Sequence, residues 1–196
     1  MDLEAQILAA PVLAGRESLL DAALSAAPAG LALEFGVANG YSLTLIAKHP
    51  TRRAVFGFDS FEGLPEDWVM GPGKVAPKGW FSIAHPEHFA WPANVTIVQG
   101  WFEDSLPRFL VEQSEPIAFV HIDCDLYSSA RTALNLLAKS LAPGVVLVFD
   151  ELIEFDPGPG RYEFWREGEW RALLESGIRV EPIARTNKQQ VALRVI

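Results

Sequence analysis

The chain holds one cysteine, Cys124, and four histidines in 196 residues. A lone cysteine cannot close an internal disulfide and has no thiol partners for a structural zinc site, so its bland role is a small buried side chain. Basic residues are also scarce: 16 Lys and Arg against 25 Asp and Glu give a net charge of -9. No Lys/Arg cluster occurs, and a nucleic-acid partner, which needs a basic face, is not expected. Long apolar runs are missing as well. The first residues carry Asp2 and Glu4 in place of a basic leader, and Pro11 and Arg16 interrupt the apolar stretch that follows. Neither a signal peptide nor a membrane span fits, and a cytoplasmic location follows by default.

What is present suffices for one well-buried core, since 49% of the residues are hydrophobic. A single domain over 1–196 is expected. Residues 3 to 27 are rich in Leu and Ala and divided by Pro11 and Gly15, which predicts two short helices, so 1–30 forms an N-terminal helical flap. From Leu31 onward, apolar runs at 31–37, 54–59, 94–99, 116–122 and 144–149 alternate with helix-like segments, the pattern of a parallel sheet wrapped by helices. Ala130, Ala133, Leu134, Leu137 and Leu141 give 127–141 the spacing of a sheet-covering helix. A second helix is predicted over 161–176, stopped by Gly177, and two closing strands over 178–184 and 190–195. The fold class is α/β with a seven-stranded mixed sheet. Residues 61–93 differ: glycines, five prolines and Trp68, Trp80 and Trp91 read as an irregular but ordered lid.

Acidic residues end two of the expected strands, Asp123 and Asp125 after Val120-His121-Ile122, and Asp150-Glu151 after Val148-Phe149. If these strands are neighbours, the carboxylates converge at the carboxyl edge, where open α/β sheets bind ligands. The first strand leads into Glu34-Phe35-Gly36-Val37-Ala38-Asn39-Gly40, where Gly36 and Gly40 let a ligand approach the backbone. Asp59 ends the next strand, before Ser60 and Phe61, and a carboxylate there can accept both hydroxyls of a ribose. The loop lacks G-x-G-x-x-G, and no G-x-x-x-x-G-K-[ST] occurs, so no pyrophosphate cradle exists. A ribose-binding acid without a phosphate site suggests a nucleoside without phosphates, of which S-adenosylmethionine is the common cofactor. Its cationic sulfonium and ammonium suit Glu34, Asp59 and Asp123.

The runs Glu34-Phe35-Gly36-Val37, Asp59-Ser60-Phe61-Glu62-Gly63-Leu64-Pro65, Gly100-Trp101-Phe102-Glu103-Asp104-Ser105-Leu106-Pro107, His121-Ile122-Asp123-Cys124-Asp125-Leu126-Tyr127 and Phe149-Asp150-Glu151 resemble the macrocin/mycinamicin-type sugar O-methyltransferases in collinear order. The resemblance implies a Rossmann-like class I methyltransferase fold with strand order 3-2-1-4-5-7-6, the last strand antiparallel, S-adenosylmethionine as donor and Mg²⁺ at the acceptor site. It places Gly36, Asn39 and Gly40 at the methionine portion, Asp59 with Ser60 and Phe61 at the ribose, and Gly100, Trp101 and Phe102 at the adenine. Asp123, Asp150 and Glu151 match its metal-binding carboxylates, although the family more often has Asp where this chain has Glu151. The segment before residue 31 is shorter than the extension of the macrolide enzymes, so a macrolide substrate is not implied.

Methyl transfer requires alignment and removal of the acceptor's proton. Mg²⁺ on Asp123, Asp150 and Glu151 would bind acceptor hydroxyls, with Asp123 or a lid histidine, His85 or His88, as base. His121, inside an apolar strand, reads as a core histidine, and Asp125 as either a helix cap or a metal contact. The expected partner is a small-molecule acceptor such as a sugar moiety, with a homodimer as the assembly considered. A metal-independent methyltransferase, a nicotinamide-dependent oxidoreductase, disfavoured by the missing Gly motif and missing Y-x-x-x-K, and a degenerate nucleoside-binding domain are the alternatives.

Overall fold

β1 (Leu31–Phe35) and β6 (Ile117–Ile122) are buried at every position, as strands covered on both faces of a parallel sheet must be. The computed structural model describes residues 2–158 and 161–196. Around that pair run β2 (Val55–Asp59), β5 (Val95–Gln99), β7 (Val146–Phe149), β8 (Val180–Arg185) and β9 (Val191–Val195). The seven form one sheet in the order β5-β2-β1-β6-β7-β9-β8, which is 3-2-1-4-5-7-6 when they alone are counted along the chain. β9 is antiparallel to both neighbours, and the pairs among the first five are parallel.

The period-2 alternation of strand side chains sorts the core into two layers. Leu33, Phe35, Leu147 and Phe149 point to one, with Leu106 and Phe109 of α4 (Phe102–Glu112), Ala130 to Leu137 of α5 (Tyr127–Leu137) and Trp170 and Leu173 of α6 (Glu169–Ser176). Ala32, Phe119, Val146 and Val148 point to the other, with Leu19, Leu20, Ala23 and Leu24 of α2 (Arg16–Ala26) and Leu43 and Ile46 of α3 (Tyr41–Lys48). The N-terminal helices, α1 (Leu3–Leu8) and α2, therefore pack on the sheet; Ile7 and Leu19 are fully buried. No helix among the described residues is long and apolar enough to cross a membrane.

Two expectations need correction. The lid is not wholly irregular: β3 (Trp68–Gly71) and β4 (Lys74–Ala76) form an antiparallel hairpin, and 86–88 form a 3₁₀ turn. Leu64, Ala76 and Leu126, with Trp68 and Met70, give this hairpin a small core of its own. The helix expected from residue 161 begins at Glu169, preceded by a 3₁₀ turn at 165–167, and ends on Gly177 in the left-handed conformation.

Candidate active site

The carboxyl ends of β1, β2 and β6 open into a cavity of about 870 Å³, within the usual range for small-molecule sites. Gly36, Asn39, Asp59, Ser60, Trp101, Phe102, Asp123 and Glu151 line it; Glu34, Gly40, Phe61, Gly100 and Asp150 do not. Asp59 organises the rim next to β1 and β2 through the backbone. Its Oδ2 accepts from the Val37 and Ala38 amides at 2.7 and 2.8 Å, and its Oδ1 from the Phe61 amide at 2.7 Å. Gly36 has φ +89°, and a Cβ there would lie 1.8 Å from the Asp123 carbonyl oxygen. The first glycine is thus demanded by the crossing of two chain segments, whatever binds nearby. A Cβ at Gly40 would meet the Trp91 ring at 2.2 Å, so that glycine accommodates the lid.

On the other side the edge is held by charge. Glu34 is fully buried, accepting from His121 Nδ1 at 2.9 Å and from Ser42 Oγ at 3.3 Å. It sits behind the cavity wall, so the expectation that it contacts a cationic ligand is corrected: its cation is His121. Nε2 of His121 stands 3.7 Å from Asp150 Oδ1. Burial opposes the imidazolium, but Asp150 and Glu34 on its two sides raise the His121 pKa to about 10. Asp150 is also buried. Burial disfavours its charge, yet His121 and Arg16 hold it below the ordinary carboxylate range. Its Oδ2 accepts from Arg16 and, at 3.3 Å, from Gln190. Arg16 Nη1 lies 3.6 Å from Asp123. Arg16, unmarked by any sequence motif, is the residue the sequence reading missed.

The remaining carboxyls are pushed toward neutrality. Asp123 is raised well above its ordinary value by burial and by the charge of Asp150, and Glu151 by burial and by Asp150 and Asp125. Glu151's amide donates to Glu169 Oε2 at 3.1 Å, and Glu169 is itself fully buried. Asp125 has φ +62°, so the extended conformation stops before it, and α5 has no side-chain cap. It lines the cavity, with burial and Asp150 raising its pKa to about 7. His85 and His88 are exposed, pair with Glu87 in the lid and do not line the cavity, so neither stands where an acceptor's base must. Trp68 and Phe81 reach the cavity wall; Trp80 is exposed.

Residues 33–152 match the family model for a methyltransferase domain, well over half of the chain. The chain belongs to that methyltransferase family. The methyltransferase domain is 31% identical over 139 residues to the 8-demethyl-8-(2,3-dimethoxy-alpha-L-rhamnosyl)-tetracenomycin-C 4'-O-methyltransferase of Streptomyces olivaceus, covering 61% of this chain and 51% of that protein. It thus spans about half the length of this curated relative. In fold it is similar to the calicheamicin methyltransferase CalS11, with TM-score 0.67 and 23% identity over 91% of this chain and 76% of that one. The O-methyltransferase NovP matches at TM-score 0.59 and 20% identity, over 91% and 78% of the two chains.

Whether this methyltransferase domain can hold the implied Mg²⁺ is a question of converging oxygens. Asp123, Asp150 and Glu151 are not the set that converges. Of the groups around the cavity, His121, Asp123 and Asp150 offer atoms within 4.8 Å of one another, and Glu151 is not among them. One member is an enclosed imidazole bonded to Glu34, and Asp150 Oδ2 already accepts from two side chains. Glu151 stands outside that set, its amide engaged by Glu169 and its Oε2 buried without a hydrogen-bond partner among the described residues. The expected trio therefore does not converge on one point in this arrangement, and the cation that reaches both Asp123 and Asp150 from the cavity is Arg16.

Proposed function

We propose that the chain transfers a methyl group from S-adenosylmethionine to a hydroxyl of a small acceptor, with a sugar moiety as the acceptor. The observation that carries this reading is the cavity itself: it lies at the carboxyl edge, has acidic side chains on its wall and is bounded by the Asp59-braced loop. The wall suits the donor chemically. Asp59 offers negative charge to a sulfonium and an ammonium, and a bound cation would draw Asp123 and Asp125 toward their charged forms. Trp101 and Phe102 offer aromatic surface to an adenine, and no phosphate cradle is needed. Bound there, S-adenosylmethionine would supply a methyl carbon already activated for displacement.

The protein's tasks are then alignment and proton removal. Asp123 stands between the donor loop and the acceptor side, its amide bonded to the Phe35 carbonyl at 2.9 Å. With Arg16 3.6 Å away to favour its ionised form, it can take the proton of an acceptor hydroxyl. Asp125 lines the same cavity, and a pKa of about 7 suits it to exchange protons there. Phe81 and Trp68 present apolar faces on which a sugar ring can stack. The sugar moiety is favoured by the rhamnosyl group in the name of the Streptomyces olivaceus relative and by the resemblance of the strand-end motifs.

The direct test is calorimetric titration of S-adenosylmethionine, with Asp59→Ala as control, followed by mass-spectrometric detection of methylated glycosides and sugar nucleotides. Binding that weakens in the control and a product heavier by one methyl group support the reading. Absence of donor binding to the folded protein overturns it.

A further inference from the structure

The cations lining the cavity are Lys78, from the lid, and Arg16, the first residue of α2. Only Arg16 pairs with the strand-end carboxylates: one amino group donates to Asp150, and the other lies 3.6 Å from Asp123. Its position is not accidental to a loose tail. Leu19, Leu20, Ala23 and Leu24 of the same helix are buried against the sheet, which fixes where the guanidinium enters. The side chain remains one-third accessible, so part of its donor fork faces the cavity while the rest is committed to the carboxylates. Behind it, Asp150 Oδ2 also accepts from Gln190, and Oδ1 faces His121 Nε2 at 3.7 Å.

We propose that Arg16 is the site's built-in cation, bridging Asp123 and Asp150 in place of a divalent metal and presenting its outward N–H groups to the acceptor hydroxyls. A guanidinium suits this role: it is permanently charged, its planar fork matches carboxylate geometry, and it can donate to the two carboxylates and to a third oxygen at once. The consequence for catalysis rests on the methyltransferase reading. Acceptor hydroxyls would be oriented by N–H donors, and the site would need no metal.

The test uses Mn²⁺ as probe, with the full chain and with neither donor nor acceptor present. Electron paramagnetic resonance of free Mn²⁺ reads binding directly. The wild type is expected not to bind at the cavity, whereas Arg16→Met uncovers Asp123 and Asp150 and binds at least about tenfold more tightly. Adding Asp123→Asn to Arg16→Met removes that gain, and Arg16→Lys, which keeps the charge, stays close to the wild type. Equal Mn²⁺ binding by wild type and Arg16→Met, or no binding by a folded Arg16→Met, overturns the proposal. Should Arg16→Met fail to fold, the wild type and Arg16→Lys decide: Mn²⁺ binding by the wild type that is lost with Asp123→Asn overturns it. Turnover unchanged after chelation supports it, and turnover restored only by Mg²⁺ overturns it. A protein that transfers no methyl group refutes the enzymatic reading, while the Mn²⁺ result still decides the role of Arg16.

Discussion

The two halves of the sheet's carboxyl edge are held by different forces. Beside β1 and β2, Asp59 gathers three neutral backbone N–H groups from two loops, so the geometry there is written into the main chain. Beside β6 and β7, on the proposed acceptor side, Glu34, His121, Asp150, Arg16 and Asp123 hold one another through charge in a buried setting. A main-chain anchor makes a fixed seat. A chain of buried charges makes a site whose proton affinity is set by its neighbours and changes when one of them is removed.

The largest expected effect separates the halves by chemistry. Asp123→Asn should lower turnover by about 10²–10⁴-fold, the range for losing a general base, while S-adenosylmethionine affinity changes only a few-fold. A parallel loss of donor affinity in calorimetry would show that the halves are one unit. Next, Glu34→Ala leaves His121 buried without its hydrogen-bonded partner, and the cost, read by chemical denaturation, should be about 3–5 kcal/mol. Asp59→Ala should cost about 1–3 kcal/mol by freeing backbone donors, and should weaken donor binding more than it slows turnover at saturating donor.

The smallest effect is that of pH. Asp125 has a pKa raised to about 7 by burial and by Asp150, so folding favours its protonated form. Its stabilising contribution is complete below the ordinary Asp range and is lost as pH rises through about 7. The thermal midpoint should therefore fall on the order of a few degrees across that interval, and fall less in Asp125→Asn. A decline of equal size in the variant would assign it to another group of the acidic set.

Much of the frame was legible because it is local. Apolar runs of strand length, helices between them and acids at strand ends can each be read within a few residues; Asp59 ends β2, and Asp123 and Asp150 directly follow β6 and β7. The wiring between them is not local. Arg16 and Asp150 are 134 positions apart, and nothing near Arg16 marks it as an active-site residue. Glu34 and His121 left a fainter trace: each is a polar residue one position before the end of an apolar strand, and β1 and β6 pair them in register. Neighbouring polar interruptions at matching heights are the signal that would have paired them. The lid hairpin escaped because its strands are four and three residues long, too short for alternation to register. Asp125 was weighed between cap and metal contact; its left-handed backbone turns it away from the capping role, and α5 has no side-chain cap.

With a Cβ at residue 36 bound to fall only 1.8 Å from the Asp123 carbonyl oxygen, the loop after β1 and the segment after β6 share a single vertex. Such a vertex has no tolerance to spend. Efforts to redirect the proposed transfer toward new acceptors should leave it untouched and diversify the cavity-lining Trp68 and Phe81 of the segment after β2, where changes in shape need not propagate into that crossing.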